Sequence, residues 1–115
     1  MSENILNFKS RGSKEFIKIM EYAVAERADS VNLEYADTGL EVCYMFGNIG
    51  IGEVLVSREL EDEVIGYIVE SANLHERTRG KFRVNLRGEE YIINVKEYDH
   101  FAESAFELTF KKTNR

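Results

Sequence analysis

Hydrophobic positions along the chain follow two periods in turn, and the changes of period mark out its elements. Residues 1–12 have weak periodicity and end in Ser10-Arg11-Gly12, which reads as a flexible N-terminal arm. Ser13 can cap a helix by accepting a backbone N–H. After it Phe16, Ile17, Met20, Ala23, Val24 and Ala28 recur at helical spacing, with Lys14, Lys18, Glu21 and Glu26 elsewhere on the wheel. An amphipathic helix of about four turns is expected there. The period then becomes two: Val31, Leu33 and Tyr35 alternate with Asn32 and Glu34, as in a half-buried strand.

Asp37-Thr38-Gly39 reads as a turn, and Leu40, Val42, Tyr44 and Phe46 line the apolar face of a second strand. Gly47-Asn48 turns the chain again, and Ile49 to Val56 predicts a third strand, broken or bulged at Gly50 and Gly52. Ser57 is the cap of a second helix. Its first turns hold Glu59, Glu61, Asp62 and Glu63, which suit the positive end of the helix dipole. Leu60, Val64, Tyr67, Ile68 and Ala72 form its apolar face, widened by Ile65 and Val69. Gly66 inside that helix costs about 1 kcal/mol relative to Ala, and a close approach of helix to sheet is the expected reason for it. Three more strands follow. Phe82, Val84 and Leu86 alternate with Lys81, Arg83 and Arg87; Arg87-Gly88-Glu89 turns; then come Tyr91, Ile93 and Val95, and last Phe106, Leu108 and Phe110. Lys111 to Arg115 reads as a frayed tail.

The order α-β-β-β-α-β-β-β with hairpin-length connections predicts an α+β domain over residues 13–110. It would be a mostly antiparallel sheet of about six strands, with both helices packed on one face. The length of 115 residues leaves room for one such domain. No Pro is present, which excludes proline-rich linkers, and a single Cys excludes a disulfide framework or a multi-cysteine metal site. Neither a basic leader with an apolar run nor a bilayer-length apolar segment occurs, so no membrane insertion and a cytoplasmic location are expected.

Charge adds a contrast. The net charge of −6 argues against nucleic-acid binding by the molecule as a whole. Residues 1–70 hold 6 cations and 14 carboxylates, whereas residues 71–115 hold 9 and 7. The stretch from Arg77 to Arg87 contains five cations and no acid. If residues 79–87 form a strand, Arg79, Lys81, Arg83 and Arg87 project from one face, opposite Phe82, Val84 and Leu86. Such a row either guards an exposed strand against edge pairing and meets neighbouring glutamates, or it holds a partner surface or a phosphate.

Candidate chemistry is otherwise thin. No Gly-x-x-x-x-Gly-Lys-Ser/Thr stretch is present to cradle nucleotide phosphates. The run from Gly47 to Gly52 lacks the dinucleotide spacing and falls between strands. Cys43 lies mid-strand beside acidic neighbours, which suits a structural thiol rather than a nucleophile. His75 and His100 lie in or beside loops and are well separated in sequence, so no metal site and no cofactor are expected. The sequence predicts a chain that is not an enzyme.

Several segments resemble the secretion and pilus-assembly ATPases of type II secretion and type IV pilus systems. Glu26-Arg27-Ala28-Asp29-Ser30-Val31-Asn32-Leu33-Glu34 is similar to that family's Ala-Ser-Asp-Ile-His-Ile-Glu element. Gly39-Leu40-Glu41-Val42-Cys43-Tyr44 resembles its Gly-Leu-x-Val-Arg-Tyr/Phe-Arg strand, and Arg79-Gly80-Lys81-Phe82-Arg83-Val84 its Gln-Asp-Gly-Arg-Phe-x-Val hairpin. Ile93-Asn94-Val95-Lys96 parallels Leu-Arg-Val-Ser, and His100-Phe101-Ala102-Glu103 looks like an altered His-Gly-Glu. The resemblance spans residues 13–110 and is confined to the N-terminal domain of those ATPases. It implies a PAS-like α+β fold and a module that packs against a motor domain. The family's His is Asn32 here, its Ser-Asp order is reversed at Asp29-Ser30, and its two strand arginines align with Cys43 and Met45. Contact with nucleotide is therefore not expected. The implied function is a non-catalytic protein-interaction or regulatory module whose partner is a secretion or pilus ATPase or its neighbours. The alternative is a PAS-like regulatory domain that binds a small ligand against residues such as Tyr44, Tyr67 and Tyr91.

Overall fold

Six strands and two helices follow the expected order in the computed structural model, which describes residues 2–55 and 57–113. The elements are α1 (Ser2–Glu26), β1 (Ser30–Ala36), β2 (Gly39–Phe46), β3 (Ile49–Val54), α2 (Arg58–Ser71), β4 (Arg79–Leu86), β5 (Glu89–His100) and β6 (Glu103–Lys112). The sheet is antiparallel throughout, in the order β3-β2-β1-β6-β5-β4. The chain thus lays down β1 to β3 outward to one edge. It crosses through α2 and returns inward from the other edge, until β6 pairs with β1 at the centre.

Period-two patterning decides which face the helices cover. Val31 and Leu33 stand level with Tyr44 and Val42 on one side and with Leu108 and Phe106 on the other. These side chains are buried under Phe16, Met20 and Ala23 of α1 and Val64 and Ile68 of α2. Phe16, Tyr67 and Phe82, one from each of α1, α2 and β4, form an aromatic trio with centroids 5.2–5.8 Å apart. Tilted and edge-on ring pairs of this kind add to area burial.

The helix starts depart from the reading in one case and follow it in the other. Ser57 caps α2, its hydroxyl accepting the Leu60 N–H at 3.2 Å. Ser13 caps nothing, because α1 begins at Ser2 and already includes residues 2–12 of the segment read as an arm, while Met1 lies outside the described residues. Tertiary packing accounts for the difference. Gly12 is buried where α1 crosses α2, and Arg11 forms an ion pair with Glu63 of α2.

The glycines also exchange roles. Gly66 faces open space, with nothing within 4 Å of where a Cβ would stand, so the expected close approach of helix to sheet is not there. The close approaches are at Gly12 and at Gly80, where a Cβ would press on the Ala72 carbonyl. Substituting Gly66→Ala is therefore expected to raise stability by about 1 kcal/mol, seen as a higher urea midpoint. Gly50 and Gly52 do not break β3, which pairs with β2 without interruption from Ile49 to Val54. Instead, Cβ atoms there would meet Cys43 Sγ at 2.7 Å and the Glu41 carboxylate at 2.8 Å. The absent side chains leave room for those of the neighbouring strand. Val56, expected in β3, lies outside the described residues. Lys111 and Lys112 extend β6 where a frayed tail was expected, and Asn114 and Arg115 lie outside the described residues.

Candidate functional site

The face of the sheet opposite the helices carries most of the polar residues of β1, β4, β5 and β6, and strand order sorts its charges. On β4, Arg79, Lys81 and Arg83 all project onto this face and are exposed, as their spacing predicts. Register then adds two cations that no local pattern joins to them. Arg79 stands level with Lys96 of β5, while Arg83 stands level with Ile92, which is itself level with Lys111 of β6. Lys81 lies level with Asn94 and, beyond it, Thr109. Five cations from three adjacent strands share one uncovered surface. Two carboxylates answer them: Glu90, 3.5 Å from Arg83, and Glu107, level with Lys96. Neither neutralises the patch, and exposed pairs of this kind contribute little.

Arg87 is not part of this surface. Strand β4 ends at Leu86, and Arg87 with Gly88 makes a two-residue hairpin turn at φ 54° and 82°. Two consecutive positive φ values match the right-handed twist of the flanking strands, so the turn removes Arg87 from the row in which its spacing placed it. Its backbone N–H donates instead to Glu21 of α1 at 2.8 Å.

The other half of the open face is acidic and partly closed. Glu34 of β1 accepts a hydrogen bond from the Tyr98 hydroxyl of β5 at 2.6 Å, reaching across β6. The reach is possible because the residue between them is Ala105, fully buried although it lies on the open face. His100 Nε2 lies 3.5 Å from the same carboxylate. Burial first, then the hydrogen bond to Glu34 and its charge, hold the Tyr98 phenol well above its ordinary pKa. In the unfolded chain the phenol ionises near 10. Its contribution to stability is therefore full below that pH and is lost as pH rises toward the folded value. Stability is expected to fall above about pH 10, and the fall should be shallower in Tyr98→Phe, measured by denaturation at a series of alkaline pH values.

Cys43 lies on this face one strand in from the β3 edge, its Sγ 3.7 Å from Met45 Sδ. Burial, followed by the charges of Glu41 and Glu34, pushes its thiol pKa up, opposite to what a thiolate nucleophile requires. Among the described residues no group of three His, Cys, Asp or Glu side chains converges to hold a metal ion. No helix among them is long and apolar enough to cross a membrane.

A cleft of about 600 Å³ opens at one end of the domain, between the β1–β2 turn, the start of α2 and the start of β6. Tyr35, Asp37, Arg58, Asp62 and Glu103 line it, and Glu61 closes its floor, accepting the Leu40 N–H at 3.1 Å. None of Tyr44, Tyr67 and Tyr91, the residues expected to surround a ligand, belongs to this lining. Tyr44 is 4% exposed in the core, and Tyr67 and Tyr91 pack against it. Beside the cleft, Phe101 stands 90% exposed at the tip of the β5–β6 hairpin.

Comparison of the chain with models of known protein families and with curated proteins yields no match.

Proposed function

We propose that the domain is a protein-interaction module that engages an acidic or phosphate-bearing surface of its partner through the basic half of its open sheet face. The carrying observation is the convergence of Arg79, Lys81, Arg83, Lys96 and Lys111 on one uncovered surface of a chain whose net charge is −6. Like charges in a row repel, and an anionic partner turns that repulsion into charge-assisted hydrogen bonds. The field of such a patch also speeds encounter with an oppositely charged surface.

The motifs similar to the N-terminal domain of secretion and pilus ATPases lie in the same order as the elements, which supports a PAS-like module and a partner in a secretion or pilus system. Cys43 and Met45 replace that family's strand arginines, so nucleotide contact forms no part of the reading. The module acts without catalysis of its own and belongs in the cytoplasm, where those motors work.

Titrating the isotope-labelled domain with a polyglutamate peptide and with inorganic pyrophosphate tests the reading. Amide shifts are expected on β4, β5 and the end of β6, with affinity falling as salt is raised. Replacing Arg79→Glu, Lys81→Glu and Arg83→Glu together should abolish those shifts. Unchanged affinity in the triple variant refutes the reading. The acidic cleft favours a second one, regulation by a small cationic ligand; shifts of Tyr35, Asp37 and Asp62 on titration with a polyamine, without shifts on β4, would select it.

A further inference from the structure

The two edges of the sheet are built differently, and the difference points to what the β3 edge does. In an antiparallel ladder, residues alternate between those whose main-chain groups face the paired strand and those whose groups face away. The Thr78 carbonyl accepts the Glu97 N–H at 2.8 Å, which sets this phase at the β4 edge. The outward main-chain groups of β4 are therefore those of Arg79, Lys81, Arg83 and Asn85. Each of the first three carries a cation, and a second copy of β4 would bring like charges together. That edge is guarded.

At β3 the Leu55 N–H donates to the Leu40 carbonyl at 2.9 Å, so the outward groups belong to Gly50, Gly52 and Val54. Two of these three have no side chain, and Glu53 is the strand's one charge. All six residues of β3 are exposed, including Ile49 at 63% and Ile51 at 56%. These isoleucines stand level with Phe46 and Tyr44 on the helix-side face, beyond the cover of α1. Tyr22 of α1, 48% exposed, lies edge-on to Tyr44 at 4.7 Å and extends the apolar strip.

We infer that β3 is a homodimer edge, pairing antiparallel with β3 of a second copy of this chain to make one continuous twelve-stranded sheet. The strand is suited to its own copy. A two-fold axis beside Ile51 places Ile51 opposite its symmetry mate and Gly50 opposite Gly52 of the second copy, so outward main-chain groups meet outward main-chain groups. Glu53 then faces the partner's Ile49, and the two Glu53 carboxylates lie at opposite ends of the paired segment. Such a contact is isologous and closes on itself. A β3-to-β4 contact would be head-to-tail and would leave a free edge to propagate. The basic half of the open face lies at the far side of the sheet, so dimerisation leaves two such patches free.

The test is sedimentation equilibrium on the full chain from micromolar to millimolar concentration, with hydrogen exchange at the Gly50, Gly52 and Val54 amides. The wild-type chain is expected to dimerise, with protection of those amides rising as dimer forms. Ile51→Lys and Ile51→Glu, at an exposed position that leaves the fold intact by circular dichroism, should each be monomeric. Mixed in equal amounts they should re-form the dimer, because opposite charges now meet across the axis. With Cys43 replaced by Ser, Ile51→Cys should cross-link to its partner under mild oxidation, whereas Glu53→Cys should not. A wild-type chain that stays monomeric at millimolar concentration overturns the inference and leaves the edge to a strand of another protein. A dimer that survives Ile51→Lys overturns it equally.

Discussion

Gly12→Ala is expected to lower the stability of the domain by about 1–2 kcal/mol, the upper range of the cost of overpacking less the gain in helix propensity. By propensity alone it should stabilise, since Gly in a helix interior costs about 1 kcal/mol relative to Ala. The crossing of α1 over α2 reverses the sign. A Cβ at position 12 would press on the Glu63 carbonyl oxygen and lie 2.8 Å from its carbon and 3.2 Å from Glu63 Cβ. The first two are main-chain atoms of a helix and a Cβ does not move with rotamer, so no rotamer change makes room, and the helices must separate. Gly66→Ala supplies the control. The same substitution in the other helix meets nothing within 4 Å and should stabilise. Urea unfolding of the two variants should move the midpoint in opposite directions with the same slope. A stable Gly12→Ala variant would mean that the crossing is not as close as described.

Arg11→Ala is expected to cost about 3 kcal/mol, because it leaves a buried carboxylate without its counter-charge. The Glu63 side chain is 1% exposed and its Oε1 has no hydrogen-bond partner, so the Arg11 guanidinium on Oε2 is what balances it. The Arg11 side chain is itself 59% exposed and gives up little hydration in the pairing. That asymmetry makes the two halves of the pair unequal. Glu63→Met removes a buried charge and leaves an arginine that solvent can hydrate, so its cost should be near zero or favourable. The double variant should recover most of what Arg11→Ala alone loses. Denaturation of the three proteins measures this directly, and equal losses in both single variants would refute the account.

Both predictions concern residues that the sequence misplaces. Arg11 and Gly12 read as the end of an arm because apolar periodicity begins only at Phe16. A residue that is buried because it has no side chain contributes nothing to a hydrophobic pattern. Glu61 and Glu63 read as part of an acidic first turn facing the helix dipole, yet each is buried against a specific donor. Composition cannot separate a solvated glutamate from one aimed at a backbone amide on another strand.

The candidate site divides along the same line. Arg79, Lys81 and Arg83 were legible because alternation along one strand is a local property. Arg87 continued the alternation and was lost to the turn, since Gly88 at φ 82° and Arg87 at 54° take the chain out of the strand before its side chain can join the row. Lys96 and Lys111 lay beyond reach. Their place beside Arg79 and Arg83 depends on β4, β5 and β6 being neighbours in a known register.

By itself the sequence determined the element order, the α+β class, the apolar face of each strand and the cap of α2. These follow from periodicity and from side chains acting within a few residues of themselves. Only the tertiary structure decided where α1 begins, which glycines are close contacts, which glutamates are buried and which cations share a surface. Each of those depends on two segments far apart in the chain meeting at a distance set by packing, and no local pattern encodes that distance.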